Sequence, residues 1–273
     1  MAEQTTQRML EVAHRFARRL EVAGVNELGE VTAQACEDFV MAPSRTGGIP
    51  SVSTQRMRRT TLRAIFRSAR AAGHAIGDPT LDLWLPERGP DGTRPLTTAE
   101  VEYCRTCVER VSARDLRRTA AWALAEAGAL TSEIAQIRVG DLDDPATPTS
   151  VALAGTSRMR ARRVTLTEWG RSRLAARVEE LGDPAPSTAL LAYGGTQPPD
   201  SAAAQAATCR LVGCVLAEAG LGAEEGVRPA SVRLWRARER FVESGSLEAA
   251  ARLLGHRSLD ETAAAVGYDW EQQ

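Results

Sequence analysis

The chain has 273 residues, 43% of them hydrophobic and 25% charged, which is enough for one large core or two modest ones. It holds no apolar run long enough to cross a bilayer, and its amino terminus lacks a basic region followed by an apolar stretch, so the sequence predicts an intracellular, cytoplasmic protein with no membrane partner. The net charge of -1 argues against nucleic acid only as an average, because all 34 basic residues are arginine and they are unevenly placed.

The five cysteines form no regular framework, which fits a reducing compartment. Cys104 and Cys107 make one C-x-x-C, but the histidines at 14, 74 and 256 and the distant cysteines supply no second pair at zinc spacing. The sequence therefore predicts no metal, no cofactor and no small-molecule substrate.

In chain order, Met9, Leu10, Val12, Ala13, Phe16, Ala17 and Leu20 recur at helical spacing and predict an amphipathic helix over about 5–23, closed by Gly24. A second helix follows Thr32, carries Ala35, Phe39 and Val40, and stops before Pro43. After a Gly, Ser and Pro loop over 44–51, a third helix runs over 54–72 with Met57, Leu62, Ile65, Phe66 and Ala69 on its apolar side. No acid occurs between Phe39 and Gly77, while Arg45, Arg56, Arg58, Arg59, Arg63, Arg67 and Arg70 all do. A solvated face mixes both signs, so an unbroken run of one sign points to a phosphate backbone, with a plain solvent face as the alternative.

Pro and Gly over 86–95 mark an interdomain linker, placed at 87–95, between a domain over 1–86 and a second over 96–273. Thr97, Thr98 and Glu100 open the second domain with a helix start, and helices are predicted at 98–112 and 114–127. Ser150–Leu153, a turn at 155–157 and Arg162–Leu166 read as a β-hairpin bearing Arg158, Arg160, Arg162 and Arg163. Those charges suit either phosphate contact or protection of a sheet edge. Helices follow at 167–181 and 201–219, separated by a Pro and Gly loop that the apolar residues 189–192 interrupt.

The last fifty residues carry the strongest pattern. Arg228, Pro229, Ala230, Ser231, Val232 and Arg233 open an arginine-rich helix that also holds Arg236, and a short helix then runs into Leu253, Leu254, Gly255 and His256. Upstream, Gly128, Ser132, Glu133, Ile134, Ile137, Asp141 and Leu142 lie in a fixed register. Together these phrases resemble the catalytic domain of the tyrosine recombinases, the phage-integrase family. There, Gly-Leu-Arg-x-Ser-Glu-Leu precedes Leu-x-x-x-Asp-Ile, and Pro-His-x-Leu-Arg-His is followed by Leu-Gly-His and a nucleophilic tyrosine. The order of the first three helices resembles that family's core-binding domain.

The resemblance implies a mainly α fold with a small β-hairpin, helical core-binding domain first and catalytic-like domain second, closing as a C-shaped clamp on double-stranded DNA. It assigns the retained family positions to Arg233 and His256. It also places the phosphate-clamping arginine on Leu130, the two motif histidines on Ala230 and Leu234, and the nucleophile on Ala265. The hairpin lysine of the family falls on Thr156 or Ser157, and no register can supply it because the chain has no lysine. Arginine is a poor proton donor, its pKa lying above about 12. Tyr268, three residues past the expected nucleophile, is either a displaced nucleophile or a packing residue, and Arg233 and His256 are either phosphate contacts or structural.

The expectation is a DNA-binding protein without strand-cleavage activity that contacts DNA through Arg56, Arg59, Arg63, Arg67, Arg70, the four hairpin arginines, Arg233 and Arg236, with copies assembling as a homo-oligomer on DNA. It would regulate, assist recombination of, or maintain a mobile element or plasmid. The rival expectations are an active recombinase or relaxase-like strand transferase using Tyr268, and a protein-interaction module that does not bind DNA.

Overall fold

A computed structural model describes residues 3–43, 47–85, 92–111, 115–157 and 159–268. Arg45 and Arg158 lie outside them, as do residues 87–91 of the expected linker and Trp270, expected to pack the carboxyl terminus with Tyr268. The chain divides into two compact units, 1–89 and 90–273.

The first unit packs α1 (Glu3–Val22), α2 (Ala33–Met41) and α3 (Val52–Ala71) around one small core. Val12 and Phe16 of α1 meet Cys36, Phe39 and Val40 of α2 and Leu62 and Phe66 of α3, with Leu83 and Leu85 closing the cluster. The Phe16 and Phe39 rings stand 4.9 Å apart in a tilted pair. Thr32 caps α2 by accepting from the Ala35 amide, and Ser51 caps α3 by accepting from the Thr54 amide. The carboxyl end of α2 is closed from a distance: Arg58 Nη1 donates to the carbonyls of Phe39, Val40 and Ala42 at 3.0, 3.0 and 2.6 Å. A helix end leaves unpaired carbonyls, and a buried guanidinium satisfies them while carrying charge of the favourable sign.

The second unit is built around α5 (Leu116–Glu126), which is buried from Thr119 to Glu126. Its alanines let α7 (Glu168–Leu181), α8 (Ala202–Glu218) and α9 (Ala230–Ser244) approach closely, and α4 (Thr98–Val111) packs on α8 beside it. Glu126 lies inside this core with no exposed surface. Arg105 grips it with two bonds of 2.9 and 2.8 Å, and Trp122 Nε1 and Thr167 Oγ1 donate to it at 2.6 and 2.9 Å. A buried carboxylate is tolerated only when its lone pairs are so matched.

A four-residue helix, α6 (Thr131–Ile134), leads to the expected hairpin, β1 (Ser150–Leu153) paired antiparallel with β2 (Arg162–Thr165) in the register Val151 to Val164. The apolar interruption of the long loop is core: Leu191 is fully buried, and Val139 and Leu191 exchange backbone bonds with Ala189 and Ile137. Two short helices, α10 (Leu247–Leu254) and α11 (Leu259–Val266), end the unit on a satellite core with Leu234, Ala237 and Phe241 of α9. The expected fold class is observed, mainly α with one two-stranded sheet among the described residues. No described helix is long and apolar enough to cross a membrane.

Candidate nucleic-acid interface

In the second unit, the turn after α5, the end of α10 and strand β2 meet at one point. Gly128 ends α5 with φ of +98°, and a Cβ there would lie 2.6 Å from Leu253 Cδ2. Gly255 ends α10 with φ of +74°, and a Cβ there would lie 2.9 Å from Arg162 Nη1 and 3.0 Å from the Arg160 carbonyl oxygen. Both positions need glycine for conformation and for space. The hairpin is tied to this turn by the Arg160 amide, which donates to the Gly255 carbonyl at 2.9 Å.

Two guanidiniums fill the junction. Arg162 Nε donates to the Leu253 carbonyl at 2.7 Å, and its Nη2 to the Gly128 carbonyl at 3.0 Å. Nη1 and Nη2 reach Glu133 Oε1 and Oε2 at 2.7 and 3.0 Å, and Nη1 also donates to the Arg160 carbonyl at 3.2 Å. All five donors of the fork are used inside the protein. Its side chain is 7% exposed and that of Glu133 2%. Glu133 also accepts from the Leu130 amide at 2.8 Å, so Leu130 contributes backbone here and no charge.

Arg233 is as deeply placed. Its Nε donates to the Gly128 carbonyl at 3.3 Å and its Nη2 to the Leu254 carbonyl at 2.9 Å. Burial and then the neighbouring Arg162 charge push its pKa down to about 10, against the opposing pull of Glu133 and Glu261. It stays cationic at neutral pH. His256, 6% exposed, has Nδ1 3.2 Å from Thr262 Oγ1 and Nε2 3.8 Å from Glu261 Oε1. Burial, then Arg233, lowers its pKa below the ordinary imidazole value, with Glu261 opposing.

Outward from this junction lies a cleft of about 850 Å³, floored by Gly255 and His256 and walled by β2, α9 and the α10–α11 turn. Arg160, Arg163, Arg236, Arg240, Arg252 and Arg257 line it together with Arg162, and among the described residues Glu248 is its only acidic lining residue. Arg163 Nη1 donates to Ser150 Oγ at 3.2 Å, while Arg236 and Arg240 stand 3.5 and 3.6 Å from Glu243. Arg236 Nε is buried without a hydrogen-bond partner. Arg160, Arg252 and Arg257 are exposed. The sequence reading missed Arg240, Arg252 and Arg257, because they sit on α9, α10 and the following turn and converge only through the packing of those elements.

Tyr268 does not line the cleft. Its ring packs edge-on against Phe241 with centroids 5.2 Å apart, and its amide caps α11 by donating to the Ala263 carbonyl at 2.9 Å. Ala265 is partly buried in the same apolar cluster, Leu234 is buried there, and Ala230 is exposed at the start of α9.

In the first unit the α3 arginines divide. Arg59 Nη1 donates to the Leu83 carbonyl at 3.1 Å, and Arg63 Nη2 to those of Thr80 and Leu81 at 3.3 and 3.4 Å. Arg70 pairs with Asp78 at 2.9 Å, the first acid after the basic run. Arg56 is half-buried, and Arg67 is exposed. Burial, then Arg63 and Arg56, lower the Arg59 pKa, so like charges there crowd one another.

No family model matches the chain, and no curated protein matches it. Solved structures do. A lambda integrase dimer bound to a COC′ core site is 18% identical with a TM-score of 0.73, covering 99% of this chain and 92% of that one. XerH site-specific recombinase in a post-cleavage complex with its palindromic difH substrate is 17% identical with a TM-score of 0.67, covering 97% and 75%. The Tn1549 transposon integrase in complex with transposon right end DNA is 16% identical with a TM-score of 0.63, covering 96% and 89%. The chain has the tyrosine-recombinase fold.

Proposed function

We propose that the chain binds duplex DNA through the arginine-walled cleft of its second unit and the arginine face of α3, and does not cleave it. The observation that carries this reading is the cleft: six arginines besides the internally paired Arg162 line it, two of them also beside Glu243, against one lining acid among the described residues, an excess that suits phosphates and releases counterions on contact. Lambda integrase, XerH and the Tn1549 integrase, which share the fold, were solved on DNA.

Loss of cleavage is supported by what stands at the junction. Transfer at a phosphate requires fixed donors for the developing charge and a nucleophile in line. Here Leu130 holds the position of the family's clamping arginine, the chain has no lysine for the hairpin, and the Tyr268 ring lies against Phe241. Groups that act as a unit fail as a unit. A protein of this kind would serve a mobile element or plasmid as a regulator, an accessory recombination factor or a maintenance protein, with copies pairing on DNA as lambda integrase does in its dimer. The two units would then be a core-binding domain and a catalytic-like domain joined near 87–95.

The test is recovery of fragments of the source genome on the purified protein at moderate salt, followed by a search for covalent adducts on the enriched fragment. Enrichment without an adduct supports the proposal. An adduct lost in Tyr268→Phe would establish strand transfer instead, and no enrichment at low salt would leave protein interaction as the function.

A further inference from the structure

Residues 78–85 of the first unit run beside α3 as a tethered strap. Thr80 is fully buried and bonded to Asp78 through both its amide and its hydroxyl, at 3.0 and 2.6 Å, and Arg70 holds the same carboxylate. Leu83 and Leu85 enter the core, 9% and 7% exposed. Arg59 and Arg63 bond to the carbonyls of Leu83, Thr80 and Leu81. Three side chains of the strap are left exposed: Leu81 at 69%, Trp84 at 77%, and Asp82 between them.

A large aromatic side chain displayed in water on a fixed backbone loses the burial it could contribute to the fold, and such residues are enriched where a partner covers them. The partner's chemistry follows from the surroundings. The strap is bonded by arginines of a helix that contributes no acid, and Arg67 stands exposed on that helix one turn beyond Arg63. An anionic polymer with apolar edges fits that combination, and a DNA strand offers phosphates beside deoxyribose and base edges.

We infer that Trp84, with Leu81 beside it, packs against the sugar and base edges of the duplex whose phosphates Arg59, Arg63 and Arg67 hold, giving the first unit an apolar DNA contact. This rests on the proposal that the protein binds DNA. The contact is sequence-tolerant, since any step of the duplex presents such edges, and it adds affinity without releasing counterions.

The experiment labels the full chain with 5-fluorotryptophan and follows its five tryptophans by fluorine NMR during titration with a mixed-sequence duplex of about 30 base pairs. The Trp84 line is identified by its loss in Trp84→Phe. The expected result is a shift of that line on binding, with Trp84→Ala weakening the duplex by about tenfold and leaving the salt slope unchanged, whereas Arg67→Gln lowers the slope by about one. Binding that leaves the Trp84 line in place overturns the contact while sparing the DNA reading. Absence of any binding at low salt overturns both.

Discussion

Arg162 and Arg233 donate to the same acceptor, the carbonyl oxygen of Gly128, at 3.0 and 3.3 Å. Two like charges held on one oxygen need compensation nearby: Glu133 pairs directly with Arg162, and Glu133 and Glu261 act on Arg233 through their charge. The pair joins β2 to α6 and the end of α10, so the hairpin wall of the cleft is fixed by the same residues that neutralise its floor.

Removing one partner of that pair leaves a buried charge unmatched. Glu133→Ala and Arg162→Ala are each expected to destabilise the protein by about 3–5 kcal/mol, read from the midpoint of urea unfolding. The double replacement Glu133→Leu with Arg162→Met should lose distinctly less than the sum of the singles, because it removes both charges together.

Gly255→Ala forces a left-handed residue to carry a side chain and places a methyl against Arg162 and the Arg160 carbonyl. A loss of about 2–4 kcal/mol is expected, seen as a lower Tm. Gly245→Ala, which has the same sign of φ but open space around it, should lose only the conformational part, about 1 kcal/mol.

The pH profile of stability should show His256. Its folded-state pKa lies below 6.5, so the unfolded chain binds the additional proton once pH drops under that value. Its contribution is complete above pH 6.5 and is lost as pH falls towards the folded-state value, and His256→Gln should flatten this limb. Glu100, held at about 2 chiefly by its bonds with Arg94, loses its contribution only below its own ordinary value of 4.5, so the two limbs separate in acid unfolding curves.

Tyr268→Phe keeps the ring on Phe241 and should change unfolding free energy by under about 0.5 kcal/mol. Tyr268→Ala removes the edge-on pair and part of the satellite core, and a loss of about 1–3 kcal/mol is expected by the same denaturation.

Much of the fold could be read from periodicity and punctuation. Leu62 and Phe66 on α3, and the hairpin flanking Gly155, fall where spacing placed them, because helical and strand faces impose their period on the chain. The resemblance rested on register at Glu133, Arg233 and His256, and these three do gather at one junction. What spacing could not supply was each arginine's partner. Arg58, Arg162 and Arg67 are identical letters in basic stretches, yet the first caps a helix, the second neutralises a buried carboxylate and the third faces water. Those assignments depend on contacts across many residues of sequence, such as Arg162 to Leu253, which no local window contains.

The Arg58 cap bears on how this protein's composition could change. One planar nitrogen of the fork serves three carbonyls at the end of α2, and the five-donor junction of Arg162 is equally beyond an ammonium group, which has three donors at a single point. Substitution towards lysine is therefore open at Arg67 or Arg257, where only charge is displayed, and closed at Arg58 and Arg162. A relative from a genome with a different base composition would trade its surface arginines freely and keep these two, so the residues that drift would mark the ligand-facing charge and the ones that hold would mark the frame.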